Sequence, residues 1–172
     1  MRLFTAVCFD DETKNALSKL SEAAKRSAGG NFSKKENFHL TLVFIGETDR
    51  KNDIEKALSE IEFSAFEYEF KGTGTFEKGI FWAGVKRNKN LEELHKTVKN
   101  KLSEIGIETE NRKFSPHITL ARKFRPEKDF DPAALEELLP KGKKKAERIS
   151  LMLSERVDGK LCYTEIFSKK LN

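Results

Sequence analysis

Residues 38–45, FHLTLVFI, and residues 117–121, HITLA, are short apolar runs rich in β-branched and aromatic side chains, each preceded by a polar stretch. That is the pattern of a strand with one face in a core. Side chains two apart on a strand share a face. His39 and Thr41 therefore stand side by side, as do His117 and Thr119, while Leu40, Leu42, Ile118 and Leu120 turn the other way. Two of the three histidines in the chain thus occupy matching His-x-Thr-Leu segments.

The flanking sequence runs through one plan twice. Residues 2–9 (RLFTAVCF) form an apolar, β-prone run. Asp10 or Asp11 is placed to cap a helix striped by Ala16, Leu17, Leu20, Ala23 and Ala24, and Gly29-Gly30 is placed to stop it. A polar loop then leads to the first His-x-Thr strand. Ile54, Ala57, Leu58 and Ile61 mark a short amphipathic helix, and residues 65–76 (AFEYEFKGTGTF) alternate as one strand. In the second half, residues 80–85 (IFWAGV) predict a strand. Leu91, Leu94, Val98, Leu102 and Ile105 stripe a helix that ends at Gly106. The second His-x-Thr strand follows Ser115-Pro116. Asp131-Pro132 opens a further predicted helix that Pro140 stops, and residues 147–153 and 161–168 are the closing strands. Phe4 precedes His39 by 35 residues and Phe81 precedes His117 by 36. This register predicts one α+β domain over residues 1–172, built as two pseudo-symmetric lobes with half-repeats at about 1–78 and 79–172.

Composition fits a folded domain. Of 172 residues, 37% are hydrophobic and 35% charged, and 14 phenylalanines supply most of the aromatic bulk. That is enough apolar material to argue against disorder. No apolar run approaches the roughly 20 residues needed to span a bilayer. The N-terminus lacks the basic, apolar and cleavage regions of a signal peptide. A cytoplasmic protein with no membrane partner is the expectation. The net charge of +5, from 33 Lys and Arg against 28 Asp and Glu, bears first on solubility. The excess clusters at Lys141, Lys143, Lys144, Lys145 and Arg148, and again at Arg122, Lys123 and Arg125. Such runs suit an anionic partner such as RNA, and equally a solvated surface. Cys8 and Cys162 lack metal-type spacing, so reduced core thiols are expected.

If the lobes pack about an approximate twofold axis, the two His-x-Thr strands face each other across a cleft. Two imidazoles and two hydroxyls then converge, a set suited to phosphate. Hydroxyls donate to non-bridging phosphate oxygens, and a protonated imidazole does so more strongly because the bond is charge-assisted. Opening a phosphodiester with water needs a base for the nucleophile and an acid for the leaving oxygen. Histidine serves as either, its unperturbed pKa being about 6.5. One His-x-Thr alone is more often structural; two in matching places are hard to dismiss. Zinc is the competing ligand, but neither histidine has a third ligand at useful spacing.

The paired HLTL and HITL segments resemble the His-x-Thr-x signature of the two-histidine (2H) phosphoesterase superfamily. MRLFTAV, ENFHLTLVFIGE, FWAGV, FSPHITLAR and YTEIFSKKL extend the resemblance over nearly the whole chain. They narrow it to the RNA 2′,3′-cyclic phosphodiesterases, also called 2′-5′ RNA ligases. The resemblance implies a bilobal α+β fold: two pseudo-symmetric lobes of antiparallel-type sheet, helices on the outside, and a central cleft lined by both motif strands. It implies hydrolysis of an RNA terminal 2′,3′-cyclic phosphate to a 2′-phosphate, breaking the bond to O3′, with no metal or other cofactor; a monomer is a separate expectation. Carried over residue by residue, His39 donates a proton to the departing 3′ oxygen. His117 accepts the proton of the attacking water, and Thr41 and Thr119 hold phosphate oxygens. Reversible 2′-5′ joining of RNA ends is a secondary implication. Two alternatives stand beside it: the same chemistry on a 2′-5′ oligonucleotide or cyclic nucleotide-sugar phosphate, and a non-catalytic RNA-end-binding module. The two intact motifs count against the second.

Arg122 lies five positions after His117, where the resembled family often carries arginine, and phosphate binding is its implied role. Strict alternation argues otherwise, because His117, Thr119 and Ala121 share a face and Arg122 points away unless the strand ends or bulges. His95, at the edge of a helical apolar stripe, is expected to be a packing residue. Phe76, Phe81 and Trp82 offer either a stacking surface for a terminal base or, in so Phe-rich a chain, core packing. Residues 141–145 are either a solvated loop or an RNA-contacting edge.

Overall fold

The side-chain oxygen of Asp10 accepts the Thr13 amide at 2.8 Å, and that of Asn88 accepts the Leu91 amide at 3.0 Å. Each satisfies a donor that a helix start leaves open, and each launches a helix in the computed structural model, which describes residues 1–172. The first half of the chain forms β1 (Arg2–Cys8), α1 (Asp11–Lys25), β2 (Ala28–Phe32), β3 (His39–Glu47), α2 (Lys51–Ser59), β4 (Phe66–Tyr68) and β5 (Phe70–Phe76). The second half forms β6 (Ile80–Val85), α3 (Lys89–Glu104), β7 (His117–Pro126), β8 (Lys144–Ala146), β9 (Arg148–Val157) and β10 (Lys160–Lys170). Short 3-10 turns cover Lys35–Asn37 and Ala133–Leu138. No helix is long and apolar enough to cross a membrane.

Two four-stranded antiparallel sheets carry the two lobes, in the orders β10-β9-β1-β3 and β2-β7-β6-β5. This is the expected α+β bilobal architecture. The sheets do not follow the halves of the chain, however. β2 crosses from the first half to pair with β7, while β9 and β10 cross back to extend the sheet of β1. Each lobe is thereby stitched from both halves. One apolar cluster runs through the molecule, taking Leu3, Leu40 and Leu151 from one sheet, Phe81, Ile118 and Leu120 from the other, and Leu17, Leu20, Leu91 and Leu94 from helices. Each such buried side chain contributes roughly 1.5–3 kcal/mol. A one-residue slip of β3 or β7 would turn this set outward, so burial of Leu40 and Ile118 fixes which way the histidines face.

Four local expectations are corrected. Gly29-Gly30 does not end α1, which stops at Lys25; both glycines lie within β2. Gly30 has φ 143°, and a Cβ there would lie 3.1 Å from the Arg122 and Lys123 carbonyl oxygens, so glycine is what lets β2 approach β7. Residues 65–76 form two strands rather than one, because β4 pairs with β8 whereas β5 pairs with β6. The segment after Pro132 forms a 3-10 turn rather than an α-helix. The lysine-rich run is only partly a loop, since residues 141–143 are irregular but Lys144–Ala146 is the edge strand β8.

Candidate active site

Both motif strands carry a β-bulge at the same place. On β3, Ala6 pairs with Thr41 but Thr5 pairs with Val43, leaving Leu42 extra. On β7, Trp82 pairs with Thr119 but Phe81 pairs with Ala121, leaving Leu120 extra. Consecutive residues are therefore buried, Leu42 with Val43 and Leu120 with Ala121. Alternation restarts one step late, as a bulge requires. Phe44 and Arg122 consequently return to the face of the histidines, and both line one cleft of about 490 Å³ with His39, Thr41, His117 and Thr119. That volume falls within the range of small-molecule sites. The bulge is why the alternation argument against Arg122 fails. The carbonyl of each extra residue has a partner. His95 Nδ1 donates to Leu42 O at 2.8 Å, and the Ser33 amide donates to Leu120 O at 2.8 Å.

The two histidines are held alike. Nδ1 of His39 bonds the Asn37 carbonyl at 2.7 Å, and Nδ1 of His117 bonds the Ser115 carbonyl at 2.8 Å. A carbonyl only accepts, so Nδ1 carries the hydrogen in both rings and Nε2 is left for chemistry. An aromatic edge braces each ring. Tyr163 meets His39 at 5.0 Å and 89°, and Phe76 meets His117 at 5.0 Å and 90°. Asn37 is itself fixed to β10, donating to the Leu161 carbonyl at 2.9 Å and accepting from the Tyr163 amide at 3.2 Å.

The rings differ in their surroundings. His39 also packs on Phe4 at 4.7 Å, and its Nε2 lies 3.0 Å from the Thr41 hydroxyl. Burial is the main influence on its pKa, pushed down to about 4; the Asn37 carbonyl opposes the fall, and the charges of Arg122, His117 and Lys14 add to it. Burial likewise lowers His117, with the Ser115 carbonyl opposing and Arg122 and Arg112 adding. Both imidazoles are therefore biased to the neutral form near pH 7. No group of three or more His, Cys, Asp or Glu side chains is placed to hold a metal ion.

A family model described as the 2′-5′ RNA ligase superfamily matches residues 9–158. The chain belongs to that superfamily. The RNA 2′,3′-cyclic phosphodiesterase of Thermotoga maritima is 36% identical over 143 residues, covering 74% of this chain and 73% of the relative. The enzyme of the same name from Archaeoglobus fulgidus is 33% identical over 128 residues, covering 71% and 72%. Apo LigT of E. coli superposes with a TM-score of 0.83 at 23% identity, covering 99% of this chain and 96% of LigT, which establishes the shared fold.

Within this superfamily scaffold the chain brings His39, Thr41, His117, Thr119 and Arg122 to one cleft. The lysine run lies outside it: Lys141, Lys143, Lys144 and Lys145 pair with Glu137, Glu67, Glu12 and Glu147. Phe81 is core, stacked on Phe124, whereas Phe76 lines the cleft with Trp82 against it at 5.3 Å. Cys8 and Cys162 are free thiols, half-buried rather than core. Three cleft residues escape the sequence pattern: Arg2, Tyr163 and the functional placement of His95. The helical spacing of His95 predicts only packing, yet its ring also stacks on Phe114 at 4.1 Å and 7°. It thereby ties the β3 bulge to the segment whose Ser115 carbonyl orients His117. Nothing in an i, i+2 pattern reports a contact from a helix to a bulged carbonyl.

Proposed function

We propose that the chain opens the terminal 2′,3′-cyclic phosphate of RNA with water, leaving a 2′-phosphate and a 3′-hydroxyl. The observation that carries this proposal is the pair of cleft imidazoles whose Nδ1 atoms are both committed to backbone carbonyls, beside Thr41, Thr119 and Arg122. His117 Nε2 takes a proton from water as the water oxygen bonds to phosphorus. The phosphorus–O3′ bond breaks, its electron pair stays on O3′, and His39 Nε2 delivers the proton that makes the 3′-hydroxyl. Exchange of one proton with solvent resets the pair. Thr41 and Thr119 hydroxyls and the Arg122 guanidinium hold the non-bridging oxygens and stabilise charge as it builds on them.

The assignment of roles is supported by the differences between the rings. Nε2 of His117 has no side-chain partner and is free to receive a proton, whereas Nε2 of His39 lies 3.0 Å from the Thr41 hydroxyl. The RNA substrate is supported by the names of relatives more than 30% identical to this chain. An RNA 5′-hydroxyl in place of water gives 2′-5′ joining by the same geometry. The free thiols suit a reducing cytoplasm.

The deciding experiment is incubation with an oligonucleotide ending in a 2′,3′-cyclic phosphate, with the product phosphate located by mass spectrometry and NMR. A 2′-phosphate is expected; a 3′-phosphate would reverse the leaving oxygen, and tight binding without turnover would make the cleft a binding site. His39→Ala and His117→Ala are each expected to lower turnover by at least about 10² with the fold retained.

A further inference from the structure

The matched bulges make Phe44 the positional counterpart of Arg122, since each stands five residues after its motif histidine. One lobe thus puts a cation where the other puts an aromatic ring. That ring is not left bare. Arg2 Cζ lies over it, 5.1 Å from its centroid, and Arg2 lines the same cleft. A guanidinium over an aromatic face is attracted to it and is held with its donors pointing outward. On that lobe the cation is therefore supplied from β1, by Arg2 seated on the Phe44 ring.

Neither arginine is neutralised within the protein. Arg50, Arg87, Arg112 and Arg148 form ion pairs with Asp53, Glu92, Glu110 and Glu165, whereas no carboxylate comes within ion-pair distance of Arg2 or Arg122. Glu47 is opposite Arg2 in the sheet but contacts the Met1 amino group at 3.5 Å instead. Of the other basic side chains at the cleft rim, Arg112 is occupied by Glu110 and Lys99 by the Glu110 carbonyl and Asn111, while Lys113 is unpaired and sits in the segment before His117 rather than on the lobe of β1 and β3.

In-line displacement decides which anion reaches Arg2. Water enters from the side of His117, so O3′ and the ribose that carries it lie on the side of His39. The nucleoside then extends over the lobe of β1 and β3, past Phe4 and Tyr163, toward Phe44 and Arg2. The next anionic group along an RNA strand in that direction is the phosphodiester on the 5′ side of the terminal nucleotide. We propose that Arg2, seated on Phe44, is a subsite for that phosphodiester, so that the cleft selects oligonucleotide ends over single nucleotides. This rests on the proposed cyclic-phosphate hydrolysis with His39 as the acid.

The test compares kcat/KM on a mononucleoside 2′,3′-cyclic phosphate with that on a dinucleotide ending in the same group. The dinucleotide is expected to be preferred by about tenfold or more, the worth of one hydrogen-bonded charge contact. Arg2→Ala should remove that preference, whereas Arg122→Ala should lower both substrates alike. A dinucleotide whose internal phosphate is replaced by a neutral methylphosphonate should lose the preference with the unmodified protein, which covers the case of an Arg2 variant that does not fold. Equal rates on the two substrates, a preference that survives Arg2→Ala, or full activity on the methylphosphonate would each overturn the subsite. If the unmodified protein opens neither substrate, it is the cyclic-phosphate chemistry that fails.

Discussion

As the proposed acid His39 must hold a proton, yet burial pushes its pKa down to about 4. The substrate has to restore it. Desolvation and the charges of Arg122, His117 and Lys14 lower the value, and a phosphate bound among them reverses the local field. One net negative charge about 4 Å from the ring, at an effective dielectric of about 20, interacts by about 4 kcal/mol. At about 1.36 kcal/mol per pKa unit that is close to 3 units. His39 should then titrate near 6 to 7 with the anion in place. Sulfate is a suitable probe because it does not itself titrate in this range. Nitrogen-15 histidine NMR from pH 4 to 8, with and without saturating sulfate, reads the midpoint directly. The expected result is a rise of about 2–3 units at His39 on sulfate binding. A midpoint that stays within about half a unit, worth less than about 0.7 kcal/mol, would refute anion-driven charging of the acid.

Three further outcomes are expected. The folded pKa of His39 lies below the unfolded value near 6.5, so between pH 6.5 and 4 the unfolded chain binds more protons and stability falls as pH drops through that window. The loss is at most about 3 kcal/mol for this group; urea unfolding at pH 7.5 and 4.5 should show a smaller difference in His39→Gln, and an unchanged one would contradict the burial. His95→Phe keeps an aromatic ring against Phe114 but removes the donor to Leu42 O, and turnover should fall about tenfold by displacing the β3 motif. His95→Asn, which returns a donor near the Nδ1 position, should recover most of it; wild-type rates in His95→Phe would rule out the tie. Replacing Lys143, Lys144 and Lys145 together by Gln should leave the salt slope of RNA binding as it was, because those charges are paired and outside the cleft; a slope reduced by about 2–3 would return RNA to that edge.

What can be seen in the sequence is whatever two-residue and helical periodicity record. His39 with Thr41 and His117 with Thr119 need only that same-face neighbours on a strand are two apart. α1 and α3 are visible because buried leucines recur at helical spacing, as Leu17 and Leu20 or Leu91, Leu94, Val98 and Leu102 do. β2 is hidden because Ala28-Gly29-Gly30-Asn31 carries no apolar alternation; it is a strand because β7 offers it a partner. The break at Glu69 is hidden for the same reason, since only pairing with β8 on one side and β6 on the other divides the run. Arg122 faces the wrong way under strict alternation because one extra residue shifts the phase of everything after it. Bulges, crossing strands and stacking on another element are tertiary facts, and no local pattern encodes them.

The backbone of the cleft is close to twofold while its chemistry is not, and the reaction needs both properties. Matched strands, matched bulges and matched Nδ1–carbonyl bonds put two imidazoles on opposing walls, the placement that in-line attack at phosphorus requires. Were the side chains symmetric as well, the two rings would hold protons equally and nothing would distinguish acid from base. The asymmetry enters through particular residues. Phe4 packs on His39, whose pKa burial pushes down to about 4, Arg122 lies on one wall against Phe44 on the other, and Arg2 covers the ring that takes the place of the missing cation. In the proposed reaction, duplicated geometry thus sets where the proton donor and acceptor stand, and the unmatched residues around them are what can make the two differ.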